Sequence, residues 1–211
     1  MSAVGNAIGG DAAPPDAERR PHGAVQTRIV VGYGFWLFLL SDFVLFSCFF
    51  ASYAVLRDAT AGGPTEGRLF DLDTVAWETA CLLLSSFTSG MANLAAGQRN
   101  QLWFQVAMAA TGLLGAAFLA LELSEFARFI GLGAEPQRSA FLSAFFSLVG
   151  CHGLHITCGL LWLLTVMAQA LAKGFRADIQ RRILCFTLFW HALDIVWVGI
   201  FTVVYLTGVG P

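Results

Sequence analysis

Five long apolar runs constrain this chain more than any other feature of its sequence. They cover about residues 31–56, 75–96, 102–123, 139–171 and 183–206. A helix rises about 1.5 Å per residue, so roughly 20 apolar residues cross the hydrocarbon core of a bilayer. In lipid such a segment must satisfy its own backbone hydrogen bonds, which a helix does. The runs therefore predict an all-α polytopic membrane protein, a bundle of five transmembrane helices.

The composition agrees with a membrane protein and excludes other classes. Of 211 residues, 57% are hydrophobic and 12% are charged, about half the charged share of a soluble domain. The net charge of −2 leaves no basic surface for nucleic acid. The cysteines all lie in apolar runs without a CxxC motif, which predicts buried packing residues and neither disulfides nor a zinc site. They are Cys48, Cys81, Cys151, Cys158 and Cys185.

The remaining segments set the expected boundaries and orientation. Residues 1–28 are rich in Ala, Gly, Pro and charge, which predicts a disordered cytoplasmic tail. Residues 29–208 form the transmembrane domain, and 209–211 are the C-terminal end. Positive residues gather on the cytoplasmic side of membrane proteins, so the larger group should mark the cytoplasm and place the C-terminus in the periplasm. The larger group is Arg19, Arg20, Arg28, Arg99, Lys173, Arg176, Arg181 and Arg182, and the smaller is Arg57, Arg68, Arg128 and Arg138.

Asp42 lies inside the first apolar run, in WLFLLSDFVLFSCFFASY. An ionised carboxylate near the centre of a bilayer costs roughly 2.5–3.5 kcal/mol on insertion scales, so it must be protonated, paired or hydrated. Two interpretations stay open: a carboxylate that handles protons or faces a partner, and a hydrogen-bonded structural acid.

Three histidines lie in the last two runs. His152 and His155 share a helical face because they are three residues apart, and His191 has the same relation to Asp194. One interpretation is a haem or metal site with Asp194 behind an imidazole. These residues offer few ligands, and a haem held by two histidines would need His191 together with one of the others. We favour a structural polar network in which Asp194 accepts a hydrogen bond from His191.

Acidic residues also lie near the ends of two runs. Glu78 opens the second run, and Glu122 and Glu125 close the third. We expect these three side chains at the outer membrane interface, solvated or at headgroup level. Glu125 and Arg128 can pair along the helix, which contributes only a few tenths of a kcal/mol when exposed.

Four segments together resemble a known family. They are WLFLLSDFVLFSCFFASYAVLR, ETACLLLSSFTSGMA, SAFFSLVGCHGLHITCGLLW and LFWHALDIVWVGIFTVVYL. In this order they resemble subunit III of the haem-copper terminal oxidases, and especially the five-helix form of the bo-type ubiquinol oxidases. The likeness covers about residues 29–208, and HGLH followed by WHxxDxVW is a specific combination.

The resemblance implies a non-catalytic subunit of a proton-pumping quinol oxidase in the bacterial cytoplasmic (inner) membrane. Such a subunit binds no haem or copper. Haem b, haem o or a, and copper are expected in subunit I, on which this chain would pack, with subunits II and IV in the complex. It would also bind phospholipids and support proton uptake. The alternatives are subunit III of a cytochrome c oxidase and, from other classes, a free-standing haem-binding anchor or a small transporter.

The resemblance also assigns residues. Asp42 matches the membrane-embedded carboxylate that reacts with carbodiimides in related subunits. His152, His155, His191 and Asp194 match structural motifs, and Glu125 matches a recurring glutamate. Relatives often carry histidines after that glutamate, whereas this chain has Ala127 and Arg128.

Overall fold

A computed structural model describes residues 19–60 and 72–207 of the chain, with side chains from Val30 onward. Within these residues the structure is all-helical. The helices are α1 (Arg19–Leu56), α2 (Leu72–Gly97), α3 (Gln101–Gly131), α4 (Ala140–Lys173) and α5 (Ala177–Ile200), and α5 continues as a π-helical segment, Phe201–Leu206. All five are long and apolar enough to cross a membrane. The predicted five-helix polytopic architecture is confirmed.

Two helices begin six or more residues before their apolar runs. α1 starts at Arg19, so residues 19–28, which were expected in the disordered tail, are helical. Pro21 does not interrupt α1 because proline is tolerated in the first turn, where its missing N–H has no helical partner. α5 starts at Ala177, before the predicted span at 183. Residues 1–18 and the last three residues, 209–211, lie outside the described residues.

Short turns join α2 to α3, α3 to α4 and α4 to α5, so these helices are antiparallel, and the Phe141 N–H at the start of α4 donates to the Ala59 carbonyl just after α1 at 3.4 Å. Asn100 caps α3, its Oδ1 accepting from the backbone N–H of Trp103 at 3.3 Å, and Ser139 caps α4 in the same way. Gly174 ends α4 with φ of 66°, a conformation that glycine adopts without steric cost. The helices α1, α3 and α5 therefore end at the same side of the bundle, where α2 and α4 begin. We call this side the C-terminal end.

The helices do not contribute equally to the interior. α2 and α3 pack along their length, α4 lies against α3 and α5, and α5 also contacts α2. α1 is peripheral and contacts α4 and α5. Its described buried residues, Leu39, Phe46 and Tyr53, are spaced seven apart, which is one narrow stripe of a helix. The other faces of α1 are mostly exposed and apolar.

Trp190 occupies the centre of the bundle. It is fully buried and approaches two glycines on neighbouring helices. A Cβ at Gly115 of α3 would lie 2.8 Å from the Trp190 ring, and one at Gly159 of α4 would lie 2.9 Å from it. Small residues let helices approach closely, which matters in lipid because apolar burial provides little driving force there. The two glycines therefore form the two sides of a slot for one indole ring.

We expect Gly159→Ala to destabilise the bundle by about 1–3 kcal/mol, because the added methyl group would overlap the buried indole. Gly90→Ala is the matched control, since a Cβ there meets nothing within 4 Å, and both variants gain the same helix propensity. Thermal unfolding of the two variants in mild detergent measures the difference. Equal stability of the two variants would contradict the conclusion that Gly159 makes space for the Trp190 ring.

Candidate functional site

Asp42 and His155 lie together between α1 and α4, although the sequence alone did not connect them. Asp42 Oδ1 is 3.5 Å from His155 Nε2, and the two side chains are 18% and 20% exposed. His155 Nδ1 lies 2.7 Å from the carbonyl oxygen of Cys151. A carbonyl oxygen can only accept, so Nδ1 carries a proton. Nε2 is therefore the ring nitrogen that faces the Asp42 carboxyl group.

His152 has a different environment from His155. It is fully buried, and neither ring nitrogen has a hydrogen-bond partner among the described residues. Its ring stacks on Trp197 at a centroid distance of 5.4 Å and meets the edges of Phe118 and Phe46 at 5.8 and 6.3 Å. The prediction that His152 joins a hydrogen-bonded network is therefore wrong for the described structure. This histidine joins α1, α3, α4 and α5 through ring packing.

Three side-chain hydrogen bonds connect α5 to α2. Each joins a ring nitrogen on α5 to a hydroxyl oxygen on α2. The pairs are Trp190 Nε1 to Ser85 Oγ at 2.9 Å, His191 Nδ1 to Ser86 Oγ at 3.2 Å and Trp197 Nε1 to Thr79 Oγ1 at 3.0 Å. Bonds of this kind hold helices together where water cannot compete. We call these three pairs the α2–α5 ladder.

Asp194 and His191 are linked through the ladder. The expected hydrogen bond ran directly between them, but His191 bonds to Ser86. The same serine also contacts the Asp194 carboxyl group. Ser86 is thus the residue between the two. The sequence analysis did not identify Thr79, Ser85 or Ser86 as partners of the α5 side chains. The available signal was their hydroxyl groups, which lie within an otherwise apolar run.

Glu78, Glu122 and Glu125 are not solvated, which corrects the expectation of exposed interfacial acids. Their exposed fractions are 0%, 2% and 2%. Each continues a buried helical stripe: Glu78 lies between Val75 and Leu82 on α2, and Glu122 follows Phe118 by one turn of α3. This spacing places them inside the bundle.

Glu125 connects the interior to the surface at the C-terminal end. Its Oε2 accepts a hydrogen bond from the Tyr205 hydroxyl at 2.8 Å, and its Oε1 lies 3.6 Å from Arg128 Nη2. The Arg128 side chain is 42% exposed. Tyr205 belongs to the π-helical segment, and such segments are frequent at functional sites. The Glu125–Arg128 contact is therefore an ion pair with one buried partner and not a surface pair.

Residues able to bind metals do not converge in the described parts of the chain. Among residues 30–60 and 72–207, no three side chains of His, Cys, Asp or Glu are arranged to hold a metal ion. The histidines instead contact a carboxyl group, a backbone carbonyl, a hydroxyl group or aromatic rings.

Comparison with known proteins decides the family. Residues 17–209 match the family described as cytochrome c oxidase subunit III. The chain belongs to this family. It is thus a multi-pass subunit of a haem-copper oxidase, as its four motifs predicted.

Individual relatives support this assignment over nearly the same region. The chain is 53% identical over 180 residues to a cytochrome bo(3) ubiquinol oxidase subunit 3 from Pseudomonas aeruginosa, covering 83% of this chain and 84% of the relative. The protein of that name from Pseudomonas putida is 49% identical over 83% of this chain and 85% of its own length. A cytochrome c oxidase subunit 3 from Bacillus sp. is 45% identical over 83% of this chain and 84% of the relative.

We expect Ser85→Ala to destabilise this subunit III by about 1–2 kcal/mol, because the buried indole N–H of Trp190 loses its acceptor. Ser124→Ala is the control, since this exposed serine bonds only to a carbonyl of its own helix. Unfolding of both variants in mild detergent gives the comparison. A loss of stability in the control as large as that in Ser85→Ala would remove the support for the α2–α5 ladder.

Proposed function

We propose that this chain is the non-catalytic subunit III of a proton-pumping haem-copper quinol oxidase, which reduces oxygen to water in aerobic respiration. The observation that carries the proposal is the 53% identity to a cytochrome bo(3) ubiquinol oxidase subunit 3 over 83% of this chain. A second relative of the same name at 49% identity supports it. The electron donor is then ubiquinol.

The accessory role is supported by how the interior histidines are used. His152 is enclosed by rings from three other helices, which leaves no room for a planar haem beside it. His155 contacts Asp42 and a backbone carbonyl, and His191 contacts Ser86. From the family resemblance we expect haem b, haem o or a, and copper in subunit I.

The proposal includes partners and location. We expect the chain to pack on subunit I, with subunits II and IV in the complex, and to bind phospholipids. The exposed apolar faces of α1 and of the other helices are compatible with lipid and with neighbouring subunits. The distribution of positive residues supports an N-terminus in the cytoplasm. The bacterial relatives support a location in the cytoplasmic (inner) membrane.

A second candidate function is subunit III of an oxidase that accepts electrons from cytochrome c. It is favoured by the relative from Bacillus sp., which is named cytochrome c oxidase subunit 3 and is 45% identical. The interior polar contacts are compatible with either complex. The donor must therefore be measured.

Affinity purification through this chain from its native membrane tests the proposal. We expect haem b and haem o or a to copurify and the preparation to consume oxygen with a quinol donor. A matched purification through an unrelated five-helix membrane protein gives the background. Oxygen uptake with reduced cytochrome c and none with quinol would favour the second candidate. A preparation without haem would contradict both.

For Asp42, the pairing with His155 supports a role in proton uptake or in sustained turnover of the complex. We expect Asp42→Asn to leave the haem content unchanged while it slows proton uptake or shortens the period of linear oxygen consumption. Asp58→Asn, at an exposed residue after α1, should change neither property. Optical spectra and oxygen traces of the purified complexes measure these effects. Loss of haem from Asp42→Asn would contradict the accessory role.

A further inference from the structure

Two buried glutamates have no role in the function proposed above. Glu78 on α2 is 0% exposed and Glu122 on α3 is 2% exposed. All four of their carboxyl oxygens lack a hydrogen-bond partner among the described residues. Buried polar groups are paired in the great majority of protein structures, so two unpaired carboxyl groups need a physical explanation.

The surroundings of Glu122 are shaped around its carboxyl group. A Cβ at Gly153 of α4 would lie 2.7 Å from Glu122 Oε1 and 3.0 Å from Oε2. Only a residue without a side chain allows the α4 backbone to lie this close. Glu78 reaches the same region from α2 and interacts electrostatically with Glu122. Two helices thus supply the acids, and a third provides the space for one of them.

The positive side chain near the two acids is Arg128, which interacts electrostatically with Glu78 but is paired with Glu125. On α3, Glu125 is a further carboxyl group, which accepts from Tyr205 of α5 and lies beside Arg128. On α4, the titratable neighbour of Gly153 is His152, which is packed among rings. An ionised carboxylate buried without a partner costs several kcal/mol. Glu78 and Glu122 therefore require positive charge from a bound species.

A proton fits this requirement better than a metal ion. In the part of the chain that the structure describes, no three acidic, histidine or cysteine side chains are arranged to hold a metal ion. A proton needs only one carboxyl oxygen. We propose that Glu78 and Glu122 form an internal proton-binding site at the C-terminal end of the bundle, with one proton on each carboxyl group.

This site is separate from Asp42 and His155, which lie between α1 and α4. Its connection to the surface runs along Glu125 to the partly exposed Arg128. The proposed site is enclosed by α2, α3, α4 and α5, and it does not depend on the identity of the electron donor.

Infrared spectroscopy of the purified native complex tests the site. Protonated carboxyl groups have a carbonyl-stretch band that carboxylates lack, and the band shifts in deuterium oxide. We expect Glu78→Gln and Glu122→Gln each to remove the intensity of one protonated carboxyl group, and the double variant to remove both. Glu135→Gln, at an exposed loop residue, should leave the band unchanged. Gly153→Ala should shift the Glu122 band, because the new methyl group displaces its carboxyl group.

Unchanged spectra in both single variants would overturn the proposal. Disappearance of the wild-type band on addition of sodium or potassium salts, at constant pH, would also overturn it and indicate a bound alkali cation instead. If a variant does not assemble, the wild-type complex with ¹³C-labelled glutamate gives the answer, and the absence of a labelled protonated-carboxyl band would refute the site. Oxygen uptake does not enter these measurements, so their failure would leave the proposed function untouched.

Discussion

Close approach of helices around Trp190 is the interaction on which the bundle depends. In a bilayer, lipid tails are as apolar as leucine side chains, so burying apolar surface between helices provides little free energy. Adhesion must come from dense packing and from directional hydrogen bonds. Trp190 supplies both, because its ring fills the slot between Gly115 and Gly159 and its N–H donates to Ser85. Four helices, α2 to α5, meet at this one side chain.

Polar side chains in the interior fall into two physical classes. One class is paired, and its members join helices: the α2–α5 ladder, and the contact of Asp42 with His155 across α1 and α4. The other class is buried without a hydrogen-bond partner among the described residues, and it includes Glu78, Glu122 and His152. Pairing stabilises the subunit, whereas an unpaired buried acid carries a persistent cost. The paired side chains hold the helices together. The two unpaired glutamates are the groups that we propose to bind protons.

The sequence predicted the helices of this chain, but it did not predict the surroundings of its polar side chains. The five helices were predictable because apolar length is a local property of the sequence. Glu122 was expected to be exposed because it lies near the end of an apolar run. This expectation was wrong because Glu122 lies one helical turn after Phe118, on the same buried stripe of α3. Asp194 was expected to bond to His191 because residues three positions apart are neighbours on a helix surface. The expectation was wrong because the ring nitrogen of His191 bonds to the Ser86 hydroxyl group on another helix.

The sequence by itself determined that this chain crosses a membrane five times, and its motifs identified the family. These properties follow from hydrophobicity summed along single segments and from residue order. Only the tertiary structure decided which polar groups meet. Asp42 and His155 are far apart in the sequence, as are Ser86 and His191. Their contacts depend on the rotation and tilt of each helix against its neighbours, which packing around small residues and aromatic rings sets.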